Sequence, residues 1–269
     1  MAERGFSNDL PFPLVVAHRG ASAEQPENTL RAFEAAVDLG ADAVEFDVRM
    51  SADGHAVVVH DPAVDRMTEG HGLVRDLTLA ELKGLRVRSP HGAEFGEGGD
   101  PEEIPTLDET LELVSGRVAV DVEIKNIPGE PDHDADRQDV VDATLRALDR
   151  AGFSGAVLIS SFNPSSIAHA RAAAPDVPTG LLAVQAMPVA DALHLAADGG
   201  HGWVLPAARS VLEGGEDLVA AAHGSGLRLG TWIVDDVEVA TRLTAWGLDA
   251  VATNDPRAIA PAVAAARRP

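Results

Sequence analysis

The sequence predicts an α/β fold: a (β/α)8 TIM barrel with a β-hairpin extension after the second strand. Strand-like apolar runs alternate with helical patterns, and eight such units in about 250 residues match the usual size of this barrel. One pair of runs breaks the alternation, joined by Asp53-Gly54. Histidines and carboxylates sit in or at the ends of several apolar runs, and a closed parallel barrel gathers such strand ends at one rim. A doubly wound open sheet is the competing architecture, and it brings fewer strand ends together.

After a polar lead-in (1–13), residues 14–17 form a first strand that delivers His18 and Arg19 at its C-terminal end. Asn28 or Thr29 caps a helix whose apolar positions Leu30, Phe33, Ala36 and Val37 keep the helical period, and Gly40 ends it. Residues 43–50 form the second strand, with Glu45, Asp47 and Arg49 on one face because side chains two apart share a side. Asp53-Gly54 signals a two-residue hairpin, and the chain returns along 56–60. Pairing Ala52 with His55 and Ser51 with Ala56 sets His60 opposite Asp47, on the same face. A one-residue slip would undo that placement.

Residues 78–85 read as a helix, with Thr78 and Glu81 forming a capping box. Residues 86–103 read as a Gly-rich, charged surface loop, and 106–114 as a helix. Further strands are predicted at 118–125, 156–162, 179–184, 202–207, 228–234 and 249–253. Helices are predicted at 135–151, 164–173, 188–197, 211–223 and 236–245, with 14–265 expected to be a single catalytic domain.

The charge balance bounds the partners. Lysine and arginine total 21 against 43 acids, a net charge of -22, which argues against nucleic acid and anionic membrane surfaces. An anionic substrate must then be held by local cations. There is no cysteine, hence no disulfide framework, thiol nucleophile or zinc–cysteine site. The first residues lack the basic end and apolar core of a signal peptide, and no run approaches membrane-spanning length. A cytoplasmic protein without stable membrane insertion is expected.

The run V-A-V-D-V-E-I-K-N at 118–126 puts Asp121, Glu123 and Lys125 on one face. Glu45, Asp47 and Glu123 form an all-oxygen, triply negative set suited to one divalent cation, Mg²⁺ or Ca²⁺, rather than zinc. The cation would offset the acids' mutual repulsion. The competing reading is a set of salt bridges to Arg49 and Lys125. His18 and His60 titrate near neutrality and can divide general-acid and general-base work, although either alone could be a core histidine. The other eight histidines, His91 and His201 among them, are expected to be solvated. Arg19 and Lys125 are placed to bind phosphate oxygens, which is compatible with neutralising the acids.

The ordered motifs are H-R-G (18–20), P-E-N-T (26–29), E-F-D (45–47), D-G (53–54), H-D (60–61) and E-I-K (123–125). S-F (161–162), the Trp232 segment and T-N-D-P (253–256) complete them. Taken together, through nearly the whole length, they resemble the glycerophosphodiester phosphodiesterase family. The resemblance implies a metal-dependent (β/α)8 barrel of lipid and glycerol metabolism. Its reaction would be hydrolysis of glycerophosphodiesters to sn-glycerol 3-phosphate and an alcohol. It makes Glu45, Asp47 and Glu123 the metal ligands, His18 and His60 the acid/base pair, and Arg19 and Lys125 the phosphate holders. Glu27 would contact substrate or cap the adjacent helix, and Trp232 would pack against the glycerol end or serve as a core aromatic. The glycerol 2-hydroxyl would attack first, giving a cyclic phosphate that water opens.

Two positions depart from that pattern. W-I-V-D stands at 232–235 where W-T-V-N is usual, and Asp121 stands where a neutral residue is common. The stretch between His60 and Glu123 is too short for a large inserted subdomain, which favours an open site with broad head-group tolerance. Rival readings are a cyclising phosphodiesterase, a lysophospholipase D-type enzyme and a non-catalytic ligand-binding barrel. No apolar lip is evident in the sequence. The preferred head group, the choice between Mg²⁺ and Ca²⁺, and the oligomeric state are not legible in it.

Overall fold

The structure is a computed structural model that describes residues 10–88, 102–153 and 155–267. The strands are β1 (Leu14–His18), β2 (Ala43–Met50), β3 (Ala56–Val58), β4 (Ala119–Ile124) and β5 (Val157–Ser161). They continue with β6 (Thr179–Ala183), β7 (Trp203–Pro206), β8 (Arg228–Thr231) and β9 (Ala250–Thr253). All but β3 pair in parallel in the order β1-β9-β8-β7-β6-β5-β4-β2, and β1 pairs back onto β2, closing an eight-stranded barrel. The short β3 lies antiparallel on β2 outside the barrel, which is the expected hairpin extension.

The helices are α1 (Leu30–Asp38), α2 (Leu79–Lys83), α3 (Leu107–Val114), α4 (Asp139–Arg150) and α5 (Pro164–Ala173). Then come α6 (Val189–Gly199), α7 (Ala208–Gly224), α8 (Val237–Ala245) and α9 (Pro256–Ala266). Thr29 caps α1, its hydroxyl accepting from the Ala32 N–H. Thr78 with Glu81, and Thr106 with Glu109, form complete capping boxes at α2 and α3. Helix α4 starts later than predicted because the Asn126 side chain bonds the backbone of Asp134 and Arg137, tying the preceding segment into a loop at the barrel mouth. Helix α9 was not anticipated: Asp255 caps it and Pro256 opens it, although Pro261 lies inside.

Apolar side chains between the strands and the helices form two large clusters, one around Phe33, Phe46 and Ile159 and one around Ile167, Leu229 and Ile259. A third fills the barrel interior with Leu14, Val16, Leu158, Leu182, Trp203 and Leu205. At the N-terminal end of the strands the interior is sealed by Phe12 against Trp203, with the Arg228 guanidinium 4.0 Å over the Phe12 ring. A small fourth cluster, including Val59, Val74 and Leu82, lies under the 62–88 excursion.

Three expectations need correction or limiting. The hairpin does not pair through a two-residue turn: Met50 faces Ala56 and Val48 faces Val58, one residue out of the predicted register. Ser51 causes the slip, because its N–H bonds the His55 carbonyl while its hydroxyl accepts from the His55 N–H, closing a wider turn. Asp47 therefore bonds Val59, not His60. His201 is not solvated; it is buried, with Nδ1 2.7 Å from the Thr179 hydroxyl. Most of the 86–103 loop, and His91, lie outside the described residues.

Candidate active site

The C-terminal ends of β1, β2 and β4 converge on a cavity of about 280 Å³ lined by His18, Arg19, Glu45, His60, Glu123 and Lys125. Register brings them together. His18 lies beside Glu45 in the β1–β2 pairing, and Asp47 beside Glu123 in the β2–β4 pairing. His60 reaches the same cavity from beyond the end of β3, so its predicted location holds although the predicted pairing does not. Asp47 is fully buried behind the cavity wall.

The backbone that presents these groups is strained. Arg19 and Asn28 both have positive φ, 58° and 57°, unusual for residues other than glycine. Gly20 is required between them: its φ is +82°, and a Cβ there would lie 2.6 Å from the Ala32 backbone. The strain is offset by hydrogen bonds into the site. The Arg19 N–H bonds both the backbone carbonyl and the carboxylate of Glu45 at 3.0 Å, and the Asn28 amide donates to Asp47 Oδ2 at 2.7 Å.

Glu45, Asp47 and Glu123 offer carboxylate oxygens that all lie within 4.8 Å of one another. Two cations are interleaved with them. Arg19 Nε is 3.1 Å from Asp47, and Lys125 Nζ is 2.9 Å from Asp47 and bonds Glu123. Burial opposes ionisation at all three acids. At Asp47 Lys125 and Arg19 more than offset it, holding that carboxyl well below the usual range. Glu45 is raised by burial and then by Asp47 and Glu123, and Glu123 is pushed up to about 7 by burial against the pull of Lys125. Glu45 Oε1 is buried with no hydrogen-bond partner. An all-oxygen trio with an orphaned buried oxygen and surplus negative charge fits a hard divalent cation. The salt-bridge reading holds for Lys125, but Arg49 turns away: it bonds Asp132 at 2.6 Å, Glu130 at 2.8 Å and the His60 carbonyl at 2.7 Å.

Each histidine is tied through Nδ1. His18 Nδ1 lies 2.8 Å from Asn254 Oδ1, and the Asn254 amide donates to Asp235 Oδ2 at 2.8 Å. That second bond fixes the amide, so His18 must carry its proton on Nδ1 and leave Nε2 bare. Nε2 is 4.0 Å from Glu45. Burial, then Arg19, lowers the His18 pKa to about 4. His60 Nδ1 bonds the Asp61 carboxylate at 2.6 Å, and Asp61 is itself held by Arg66. Burial is the largest cause of its lowered pKa, with Asp47 opposing and Lys125 adding to it.

The remaining predicted residues divide. Glu27 does not cap α1; it bridges Arg19 at 2.9 Å and Arg66 at 2.7 Å, outside the main cavity. Trp232 lines the cavity, with its indole N–H on the Leu205 carbonyl and its ring edge-to-face with Phe162 at 5.5 Å. Asn254, Asp61, Arg66 and Arg49 serve the site without standing out in the sequence. T-N-D-P and H-D contain two of them, but only the fold shows which histidine each serves. Exposed Ile233 at the cavity edge supplies an apolar lip that was not evident beforehand. No helix among the described residues is long and apolar enough to cross a membrane.

Known proteins resemble this chain in sequence and in fold. Residues 18–258 match the glycerophosphoryl diester phosphodiesterase family. A glycerophosphodiester phosphodiesterase of Caldanaerobacter subterraneus is 36% identical over 256 residues, covering 91% of this chain and 96% of its own. One from Bacillus subtilis is 31% identical over 250 residues, covering 90% and 84%. Among solved structures, an Oleispira antarctica phosphodiesterase in complex with the product sn-glycerol-3-phosphate superposes with a TM-score of 0.81. It is 28% identical, covering 94% of this chain and 97% of its own. The barrel, its acidic mouth and these matches together place the chain in the glycerophosphoryl diester phosphodiesterase family of phosphoric diester hydrolases.

Proposed function

We propose that the chain hydrolyses glycerophosphodiesters to sn-glycerol 3-phosphate and an alcohol, with residues 14–265 acting as one catalytic domain. The observation that carries this reading is that two imidazoles, each anchored through Nδ1, line the same cavity as Glu45 and Glu123, with the third convergent carboxylate, Asp47, directly behind its wall. Mg²⁺ or Ca²⁺ held by Glu45, Asp47 and Glu123 would supply Lewis-acid polarisation of the phosphoryl group and acidify a bound hydroxyl.

The side chains divide the remaining work. Arg19 and Lys125 hold the phosphate oxygens, supplying locally the positive charge that the molecule as a whole lacks. His18, whose partner is a neutral amide, takes the proton of the glycerol 2-hydroxyl at Nε2. His60, whose Asp61 partner favours the imidazolium, gives its Nε2 proton to the departing alcohol oxygen. The 2-oxygen bonds to phosphorus as the phosphorus–alcohol bond breaks, leaving a cyclic phosphate. The roles then reverse: His60 takes a proton from water, the water oxygen bonds to phosphorus as the bond from phosphorus to the 2-oxygen breaks, and His18 returns its proton to the 2-oxygen. Trp232 and Phe162 wall the glycerol side of the cavity.

Phosphorus NMR of sn-glycero-3-phosphocholine hydrolysis tests this. The native chain should yield sn-glycerol 3-phosphate, and His18→Ala and His60→Ala should each lose at least ~100-fold in kcat. Near-native rates in both variants would rule the scheme out, and a cyclic end product would identify a cyclising enzyme.

A further inference from the structure

Below the plane of the acidic trio the cavity is almost wholly apolar, walled by Val16, Leu158, Leu182, Leu205 and Ala250. Two of its other polar groups are already committed: the Thr231 hydroxyl donates to the Pro206 carbonyl, and the Trp232 indole to the Leu205 carbonyl. Two more are not used in the scheme above. Asp121 and Ser160 line this part of the cavity from β4 and β5 and are buried, at 7% and 1% exposure. Asp121 Oδ1 and Ser160 Oγ are both buried with no hydrogen-bond partner. A buried acceptor and a buried hydroxyl left open side by side cost stability unless a ligand completes them.

We infer that Asp121 and Ser160 form a subsite that reads the terminal, non-reacting hydroxyl of the substrate's glycerol. This rests on the glycerophosphodiester reading and names which end of the substrate enters first. Asp121 lies two residues before Glu123 on β4, a drop of roughly 7 Å into the barrel at the usual rise per strand residue. With the phosphate between Arg19 and Lys125, a three-carbon chain running inward ends at that depth. Its last hydroxyl donates to Asp121 Oδ1 and accepts from the Ser160 hydroxyl. An ester at that oxygen removes the donor, and its chain meets a floor closed by Trp203 and Phe12. The subsite thus selects free glycerol over 1-acyl lysophospholipids.

The test compares sn-glycero-3-phosphocholine with 2-hydroxypropyl phosphocholine, which lacks only the terminal hydroxyl, in the native chain and in Asp121→Val, Asp121→Asn and Ser160→Ala. The native chain should prefer the hydroxylated substrate by about 30-fold or more in kcat/KM, the scale of one unmet buried partner. Asp121→Val should bring that preference below about 3-fold while still turning over the deoxy substrate. Ser160→Ala should reduce it, and Asp121→Asn should retain most of it. A preference unchanged in Asp121→Val, or cleavage of 1-acyl lysophosphatidylcholine as fast as glycerophosphocholine, would overturn the inference. Calorimetric binding of sn-glycerol 3-phosphate against 2-hydroxypropyl phosphate reads the same discrimination without turnover. Equal binding of the two by the native chain overturns the subsite, and absence of hydrolysis with the discrimination intact counts only against the proposed reaction.

Discussion

Asp235 occupies the position where the sequence departs from the usual motif, and its contacts give it a use. Its carboxylate accepts from the Thr253 hydroxyl, the Asn254 N–H and the Asn254 amide, each at 2.8 Å, so Asn254 can present only its oxygen to His18. Asn254→Leu should therefore cost about 10- to 100-fold in kcat with little change in KM, as losses of a histidine's outer partner do. Steady-state kinetics with unchanged kcat would show that His18 does not depend on this bond. A histidine outside the site also contributes to acid stability. Burial, then Arg171, depresses the His201 pKa, so as pH falls the unfolded chain takes up that proton before the folded one does. The stability tied to His201 is thus complete above its ordinary pKa near 6.5 and is lost as pH drops below it. Urea titrations from pH 7.5 to 5 should show His201→Gln losing less stability over that range than the native chain. Parallel pH profiles for the two proteins would contradict this.

Among the elements, the loop between β4 and α4 is held at Asp134 and Arg137 by Asn126 and at Glu130 and Asp132 by Arg49. Arg49 is about 1% exposed and ties Glu130, Asp132 and the His60 carbonyl together, so it sets the loop and the second histidine at once. Arg49→Met leaves Asp132 buried without its cation and should cost about 3–5 kcal/mol in urea unfolding, the usual result of halving a buried pair. A loss below about 1 kcal/mol would mean that the loop is held elsewhere. The elements differ in how legible they are in sequence. Regular strand–helix alternation was readable because buried parallel strands and amphipathic helices have distinct periods. The hairpin register was not, because the Ser51 side chain, which has no effect on hydrophobic pattern, widens the turn by one residue. Helix α9 was hidden by Pro261 in an alanine-rich run, and the role of Arg49 by partners 81 and 83 residues away.

The molecule as a whole carries a charge of -22 yet keeps Arg19 and Lys125 beside the three carboxylates of its mouth. Barrel closure makes this possible: residues from β1, β2 and β4, spread over more than a hundred positions, meet because β1 pairs with β2 and β2 with β4. Acids and histidines at strand ends were sufficient to foresee that meeting. Which oxygen would lack a partner, and which histidine nitrogen would be bare, were set by the Asn28, Asn254 and Asp61 contacts that only the fold creates. Titration calorimetry of the metal-stripped chain with Mg²⁺ and with Ca²⁺ tests the convergence most directly. One ion should bind per chain, and Glu45→Gln and Glu123→Gln should each weaken that binding by at least ~10-fold, as affinity follows ligand charge. No saturable binding of either ion, or equal affinity in all three proteins, would contradict it.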